Sequence, residues 1–251
     1  ICILSRGEKD QAAMVRRVDS PRLRFFIGDV RDYFRVRRAM DGCQVVIHAA
    51  ALKRIEVGVY NPDEMVKTNV LGTANVIEAA RDTGVERCIL ISSDKAYEPV
   101  SPYGYSKALA ESLFTAANAS RSSASPMFAG VRYGNVWQSA GSVVPLWRSI
   151  LATGGRPTIT DAECTRFFML LSEAVDFVLG AVERMQGGEI FVPTLPAYSI
   201  GDLVRAMDIQ YADFTGLPAH EKLHESMEKG NCSKDARRMS VEELRGHLPN
   251  G

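Results

Sequence analysis

Short apolar runs, each closed by a polar or glycine-containing turn and followed by an amphipathic stretch of helical length, repeat along the first half of the chain. Ile1–Leu4, Arg24–Ile27, Gln44–Ile47, Cys88–Ile91 and Phe128–Tyr133 have the length and the β-branched or aromatic content of strands. Helical periodicity fills the intervals over Glu8–Val18, Asp32–Met40, Asn61–Thr83 and Tyr103 to about Asn118. Pro62 stands where a first helical turn tolerates a missing N–H, and Gly84 where a helix stops. Strand and helix alternating at this spacing predict an α/β protein whose parallel sheet is wound by helices on both faces.

From Val143 the rhythm loosens. Helices are expected over Val143–Thr153, Ser172–Met185, Ser199–Met207 and Val241–His247, separated by loops such as Gly154-Gly155-Arg156-Pro157, with one further strand at Glu189–Val192. The expected organisation is a main α/β domain over 1–136 and a smaller, mostly helical lobe over 137–251. The strand near 189–192 is expected to return to the main sheet. Because Ile1–Leu4 reads as a strand already in progress, a segment upstream of Ile1 is also expected.

Composition narrows the classes. The 251 residues carry 30 Lys plus Arg against 30 Asp plus Glu, a net charge of zero, so there is no broad basic field for a nucleic-acid backbone. Five scattered cysteines, Cys2, Cys43, Cys88, Cys164 and Cys232, form neither a C-x-x-C pair nor an even disulfide framework, which points to a reducing cytoplasm. No run reaches the roughly 18 apolar residues of a membrane span, and no signal peptide opens the chain, so no membrane segment is expected in this portion.

Candidate chemistry concentrates between Ser92 and Lys107. Asp94 and Lys95, preceded by Ser92 and Ser93, fall where a buried strand spills into a loop, the place where open α/β sheets put their ligands. They read either as a solvated loop or as an acid and a base tuned by each other's charge. Tyr103 and Lys107 are one helical turn apart, so the ammonium favours a phenolate able to exchange a proton during hydride transfer; most such pairs are surface neighbours. A competing motif, His220-Glu221-Lys222-Leu223-His224, has the H-E-x-x-H spacing of zinc hydrolases and requires a helix, with Glu242 or Glu243 as third ligand. That reading leaves the rest of the chain unexplained, and no metal is assigned.

The chain resembles the extended short-chain dehydrogenases, and within them the nucleotide-sugar 4,6-dehydratases of the polysaccharide-biosynthesis group. The pieces that carry the resemblance span nearly the whole chain: Gly28-Asp29-Val30-Arg31-Asp32, His48-Ala49-Ala50-Ala51-Leu52-Lys53, Lys67-Thr68-Asn69-Val70-Leu71-Gly72-Thr73, Ser92 to Lys107, Val131-Arg132-Tyr133-Gly134-Asn135-Val136, Thr165-Arg166-Phe167 and Glu221-Lys222-Leu223-His224-Glu225. Asp-Lys at 94–95, where the hexose dehydratases carry Asp-Glu, resembles the branch that acts on UDP-N-acetylglucosamine and inverts C5. The resemblance implies a Rossmann-like fold and a homo-oligomer. It also implies that Tyr103 with Lys107 deprotonates the sugar 4-hydroxyl, Ser93 hydrogen-bonds the 4-oxygen, Lys95 removes the C5 proton and Asp94 protonates the departing 6-hydroxyl.

For the cofactor it implies Asp29 and Val30 on the adenine side, Ala49, Ala50 and Ala51 under the pyrophosphate and ribose, Lys53 nearby, and Tyr103 and Lys107 at the nicotinamide end. Ser5 and Arg6 follow what matches the family's second strand. An Arg there suits a 2′-phosphate, favouring NADP over NAD, and reads equally as an exposed loop residue. For a UDP-sugar the implied contacts are Asn135 and Arg166, then Lys53, Glu189 and Glu221. No G-x-G-x-x-G occurs. A 4-epimerase on the same scaffold, needing Tyr103 but not the Asp94 and Lys95 pair, and a non-catalytic NAD(P)-binding regulator remain the other readings.

Overall fold

The computed structural model describes residues 1–122 and 125–249. Its first half follows the periodicity closely: β1 (Cys2–Ser5), α1 (Glu8–Arg17), β2 (Arg24–Ile27), α2 (Tyr33–Met40) and β3 (Val45–His48). Asp32 starts α2 by accepting the Arg35 N–H on its side chain, which satisfies one of the donors a helix start leaves open. The long helix expected over Asn61–Thr83 is interrupted. A short α3 (Ile55–Tyr60) precedes it, and α4 (Pro62–Met65) is joined to α5 (Gly72–Asp82) through a π-helical turn, Val66–Leu71. Gly84, at φ +70°, ends the run in the left-handed conformation open to glycine.

β4 (Arg87–Ile91), a 3₁₀ turn (Asp94–Ala96), α6 (Pro102–Ala119) and β5 (Met127–Val131) come next. The remainder is β6 (Asn135–Val136), α7 (Val143–Ala152), β7 (Thr158–Ile159), β8 (Thr165–Met169), α8 (Leu171–Arg184), β9 (Ile190–Phe191), β10 (Ala197–Ser199), α9 (Ile200–Ala206), β11 (Asp213–Phe214), β12 (Ser226–Glu228), β13 (Asn231–Cys232) and α10 (Val241–Gly246).

The chain divides into two compact units. The first comprises Ile1–Ser92, Pro102–Val131 and Ala181–Phe191. Its strands are parallel, in the order β3-β4-β5-β9, with β1 and β2 as a separate parallel pair. This is a Rossmann-like α/β arrangement. Cys88, Ile89 and Leu90 are fully buried, which is why β4 reads as an unbroken apolar run rather than an alternating one. Helices pack on it through Val76, Ile77 and Ala80 of α5 and Ala110 and Phe114 of α6. β1 and β3 are not hydrogen-bonded to each other; instead both line a cavity of about 930 Å³ together with α2 residues.

The second unit comprises Ser93–Ser101, Arg132–Gly180 and the chain from Val192 on. Ser93–Ser101, placed with the main domain by the sequence pattern, thus belongs here, and the division falls at Val131/Arg132 rather than after residue 136. Among the described residues it holds α7, most of α8, α9, α10 and the 3₁₀ turn but also seven short strands, including the mixed sheet β10-β8-β6, in which β8 is central. Two- and three-residue strands carry no period to detect. β8 escaped detection because Phe167, Phe168 and Met169 are buried in succession, without alternation. Trp137, Phe168, Tyr198, Leu203 and Leu244 form its core.

Candidate active site

In the first unit the end of β4 and the start of α6 bring one set of candidate groups together. α6 buries Tyr103, Lys107, Ala110, Glu111, Phe114 and Ala117, so the Tyr103 and Lys107 pair lies on the inner face. The Lys107 ammonium donates to the carbonyl of Ile91, the last residue of β4, at 2.6 Å. Burial lowers its pKa to about 8, against the opposing pull of Glu111. Glu111 is itself bonded by the Ser92 hydroxyl.

Asn69, in the π turn, ties this half together. It accepts from the Leu52 N–H at 2.7 Å and donates to the Leu52 carbonyl at 2.9 Å and to Ser106 Oγ at 2.9 Å. Ser106 in turn donates to the Tyr103 carbonyl at 2.7 Å. One buried amide thus fixes both the loop after β3 and the first turn of α6. Thr73 Oγ1 spends its proton on the Asn69 carbonyl, so its 2.9 Å contact with His48 requires a proton on His48 Nε2. Burial, with Lys107 nearby, holds that imidazole neutral by lowering its pKa to about 3.

The cavity beside β1 and β3 gathers the residues read as cofactor contacts: Ser5, Arg6, Asp29, Val30, Ala49, Ala50 and Ala51. Gln11 donates to Ser5 Oγ at 2.9 Å and to the Phe26 carbonyl at 2.9 Å, fixing the turn after β1. Asp29 is bridged by Arg31 at 2.8 Å and approached by Arg6 at 3.9 Å, and the Arg31 hydrogen bonds hold its pKa below the ordinary carboxylate value. Alanines at the strand end, Asp29 and the Arg6 guanidinium around a cavity of this size fit the adenosine side of a dinucleotide. Lys53 is exposed after the alanines and is not among the cavity's lining.

The second unit holds a second set of candidate groups. Asp94 is 0% exposed, and the Lys95 side chain is 19% exposed. Lys95 Nζ reaches three acceptors: Asp94 Oδ1 at 3.0 Å, Asn135 Oδ1 at 3.4 Å and Glu225 Oε1 at 3.5 Å. Burial opposes its charge, but the two carboxylates outweigh burial and raise its pKa above the ordinary lysine range. Ser93 Oγ donates to Asp94 Oδ1 at 2.9 Å and caps the 3₁₀ turn. Asp94 Oδ2 is buried without a hydrogen-bond partner among the described residues. Gly134 lets the chain pass here: a Cβ at that position would lie 2.5 Å from Phe167 Cβ and 3.4 Å from Asp94 Oδ2.

Arg166 donates to the carbonyls of Thr165 at 2.9 Å and Leu223 at 3.2 Å and faces Glu221 at 3.7 Å. Glu189 lies in the first unit, where its two oxygens accept the Gln186 and Gly187 N–H groups at 2.7 Å each, so its carboxylate closes a turn. The segment His220–His224 is not helical, and His224 Nδ1 lies 2.9 Å from Thr165 Oγ1, so the shared helix face that the zinc-hydrolase spacing requires is absent. Sequence reasoning missed Asn69, Glu111, Lys222 and Glu225. Asn69, Lys222 and Glu225 stand inside quoted motifs and Glu111 inside an expected helix, but only packing shows what their side chains hold.

A family model described as "Polysaccharide biosynthesis protein" matches residues 1–242. The chain is 44% identical over 229 residues to a UDP-N-acetylglucosamine 4,6-dehydratase (inverting) of Campylobacter jejuni, covering 90% of this chain and 69% of that protein. It is 42% identical over 232 residues to a UDP-glucose 4-epimerase of Rickettsia rickettsii, covering 90% and 68%. Among solved structures it is similar to the dTDP-glucose 4,6-dehydratase DesIV of Streptomyces venezuelae with NAD and TYD bound, at TM-score 0.80 and 21% identity, covering 94% of this chain and 81% of that one.

The buried Lys107 predicts a stability signature. Its folded pKa is about 8 against the ordinary 10.5, so between those values the unfolded chain holds a proton that the folded chain has lost, and stability rises with pH. The gain across the window is roughly 3 kcal/mol, and below about pH 8 it is absent. Denaturant titrations of wild type and Lys107→Met over this range should show the gain in the first only; parallel curves would contradict the buried ammonium.

Proposed function

The chain belongs to the polysaccharide biosynthesis protein family, and on that premise we propose that it is an NAD(P)-dependent nucleotide-sugar 4,6-dehydratase acting on UDP-N-acetylglucosamine. The observation that carries the reading is the buried Asp94 and Lys95 pair, 3.0 Å apart at the end of β4. A 4-epimerase needs only to move a hydride and a hydroxyl proton. A dehydratase must also remove a carbon-bound proton and expel water, which calls for one more base and one more acid. The epimerase reading stays second, on the strength of the Rickettsia relative.

In this mechanism the charged Lys107 favours the phenolate of Tyr103, which takes the 4-hydroxyl proton. Asp29, Val30 and Ala49–Ala51 would hold NAD(P), which would supply a hydride acceptor for C4 and a hydride donor for C6. The 4-ketone acidifies the C5 proton. The Lys95 ammonium first passes a proton to Asp94 across their hydrogen bond; the free amine then takes the proton from C5, and the Asp94 acid protonates the 6-oxygen as it leaves as water. Asp94 and Lys95 have then each gained and lost one proton, so the ion pair is restored; as the hydride reaches C6, C5 takes a proton that has exchanged with solvent and Tyr103 gives up the one it took, so every group ends as it began. Burial with matched partners lets that transfer occur without exchange with solvent. The Ser93 hydroxyl, which donates to Asp94 Oδ1 in the resting pair, turns to the 4-oxygen once Asp94 carries a proton. Asn135 and Arg166 are the proposed UDP-sugar contacts; Arg166 pairs a diphosphate oxygen, with Glu221 and Lys53 secondary.

NADP is the proposed form of the cofactor, supported by Arg6 and Arg31 flanking Asp29 at the adenosine side. A homo-oligomer is proposed as well, supported by exposed Val57, Val59, Tyr60, Tyr105 and Leu109 on α3 and α6. No helix among the described residues is long and apolar enough to cross a membrane, and the five cysteines are free, which supports a cytoplasmic location.

Two experiments test this. Incubated with UDP-N-acetylglucosamine in deuterated water, the protein should give a 4-keto-6-deoxy product labelled at C5, with Asp94→Asn and Lys95→Met each slower by about 10² to 10⁴; an unlabelled epimer would sink the dehydratase. Arg6→Ala should weaken NADP relative to NAD by about tenfold or more in cofactor titrations, on the ordinary worth of a charge-assisted hydrogen bond. An unchanged ratio would remove the preference.

A further inference from the structure

Glu225 has no part in the chemistry so far, yet it is almost wholly buried and touches two cations. Its Oε1 lies 3.5 Å from Lys95 Nζ and its Oε2 3.6 Å from Lys222 Nζ, with no hydrogen bond to Oε2 among the described residues. Its backbone is fixed from below. The Glu225 N–H donates to Ser233 Oγ at 2.9 Å, the Ser233 N–H returns to the Glu225 carbonyl at 2.7 Å, and Ser233 Oγ donates to the Thr165 carbonyl at 3.2 Å. Lys222 is fixed too, donating to the Tyr97 carbonyl at 2.6 Å. A carboxylate held this way is neither solvating nor free to turn.

We propose that Glu225 is a positioning residue for Lys95: it holds the ammonium between Asp94 and Asn135, and Lys222 on its other oxygen moderates how strongly it pulls. The proposal rests on the reading of Lys95 as the C5 base. An ammonium with three acceptors is oriented by all three, and removal of Glu225 takes away its ion-pair contact at 3.5 Å and leaves the hydrogen bonds to Asp94 and Asn135. The second carboxylate stabilises the Lys95 charge, so it sets how readily the proton crosses to Asp94. The groups facing Lys95 are Asp94 on its own turn, Glu225 before β12, Arg166 of β8 and Tyr198 of β10; Arg166 lowers the lysine's proton affinity where the carboxylates raise it. Lys222 acts through Glu225.

The test measures the Lys95 proton on the full chain without substrate, through the rate of its acetylation at fixed pH, resolved by peptide mass spectrometry. An opposite charge within hydrogen-bonding range is worth about one pKa unit or more, so Glu225→Gln should raise the rate about tenfold, and Lys222→Met, which leaves the carboxylate unopposed, should lower it several-fold. Loosened packing would speed both variants, so opposite signs separate positioning from mere structure. In turnover, Glu225→Gln should also move the alkaline limb of kcat/KM down by about one pH unit, where the Asp94 and Lys95 pair loses its shared proton. Rates that do not change, or that rise in both variants, overturn the proposal. Should Glu225→Gln fail to fold, Lys222→Met decides by its sign. Variant acetylation rates that move as expected in a protein that makes no 4-keto product would sink the dehydratase reading, and with it the catalytic purpose of Glu225, and leave only its hold on the Lys95 proton standing.

Discussion

A buried ion pair is the constraint around which the second unit is arranged. Asp94 has no exposed surface, and an isolated carboxylate in such a place is strongly destabilising. It persists because the neighbouring ammonium, the Ser93 hydroxyl and the 3₁₀ turn surround Oδ1, while Asn135 and Glu225 complete the coordination of Lys95. Each of these groups is fixed by an element of its own: Asn135 by β6, Glu225 by its ladder to Ser233 and β8, and the backbone of Asp94 by its hydrogen bond to the Tyr133 carbonyl. A pair this enclosed adds little to stability compared with apolar packing of the same volume. In the proposed mechanism its use lies in the protons it moves.

The first unit uses the same device with the sign of the effect reversed. Lys107 is buried beside a strand-end carbonyl, and Glu111 offsets burial only in part, so its pKa falls, whereas the partners of Lys95 more than compensate and its pKa rises. Two lysines twelve residues apart are thereby separated in acidity by their surroundings, and the proposed roles follow. The lysine whose charge is only just retained assists a phenol. The lysine whose charge is firmly held can act as a base only after passing its proton to a partner.

Much of this was legible in the sequence where a period or a motif carried it. The alternation of strands and helices predicted the element types of the first unit, apart from the short α3, to within two residues, because β4 and β5 are buried on both faces and α5 and α6 each bury one face. The strands of the second unit were not legible, since β6, β7 and β11 are two residues long and β8 has no alternation. The π turn around Asn69 was hidden for a different reason: it leaves helical composition intact and shows only in the hydrogen bonds of one amide. Glu189 illustrates the opposite hazard, a carboxylate in a matching motif whose oxygens close a turn.

The central claim is that the hydride half, Tyr103 with Lys107, and the elimination half, Asp94 with Lys95, are separable steps of one reaction. Single-turnover absorbance of the reduced nicotinamide, recorded after mixing cofactor-loaded protein with UDP-N-acetylglucosamine, tests this most directly. Lys95→Met should show the reduced-cofactor band rise and persist with no 4-keto-6-deoxy product, and Tyr103→Phe should show no rise. A Lys95→Met protein that completes the dehydration at the wild-type rate, or a Tyr103→Phe protein that still reduces the cofactor, would contradict the account.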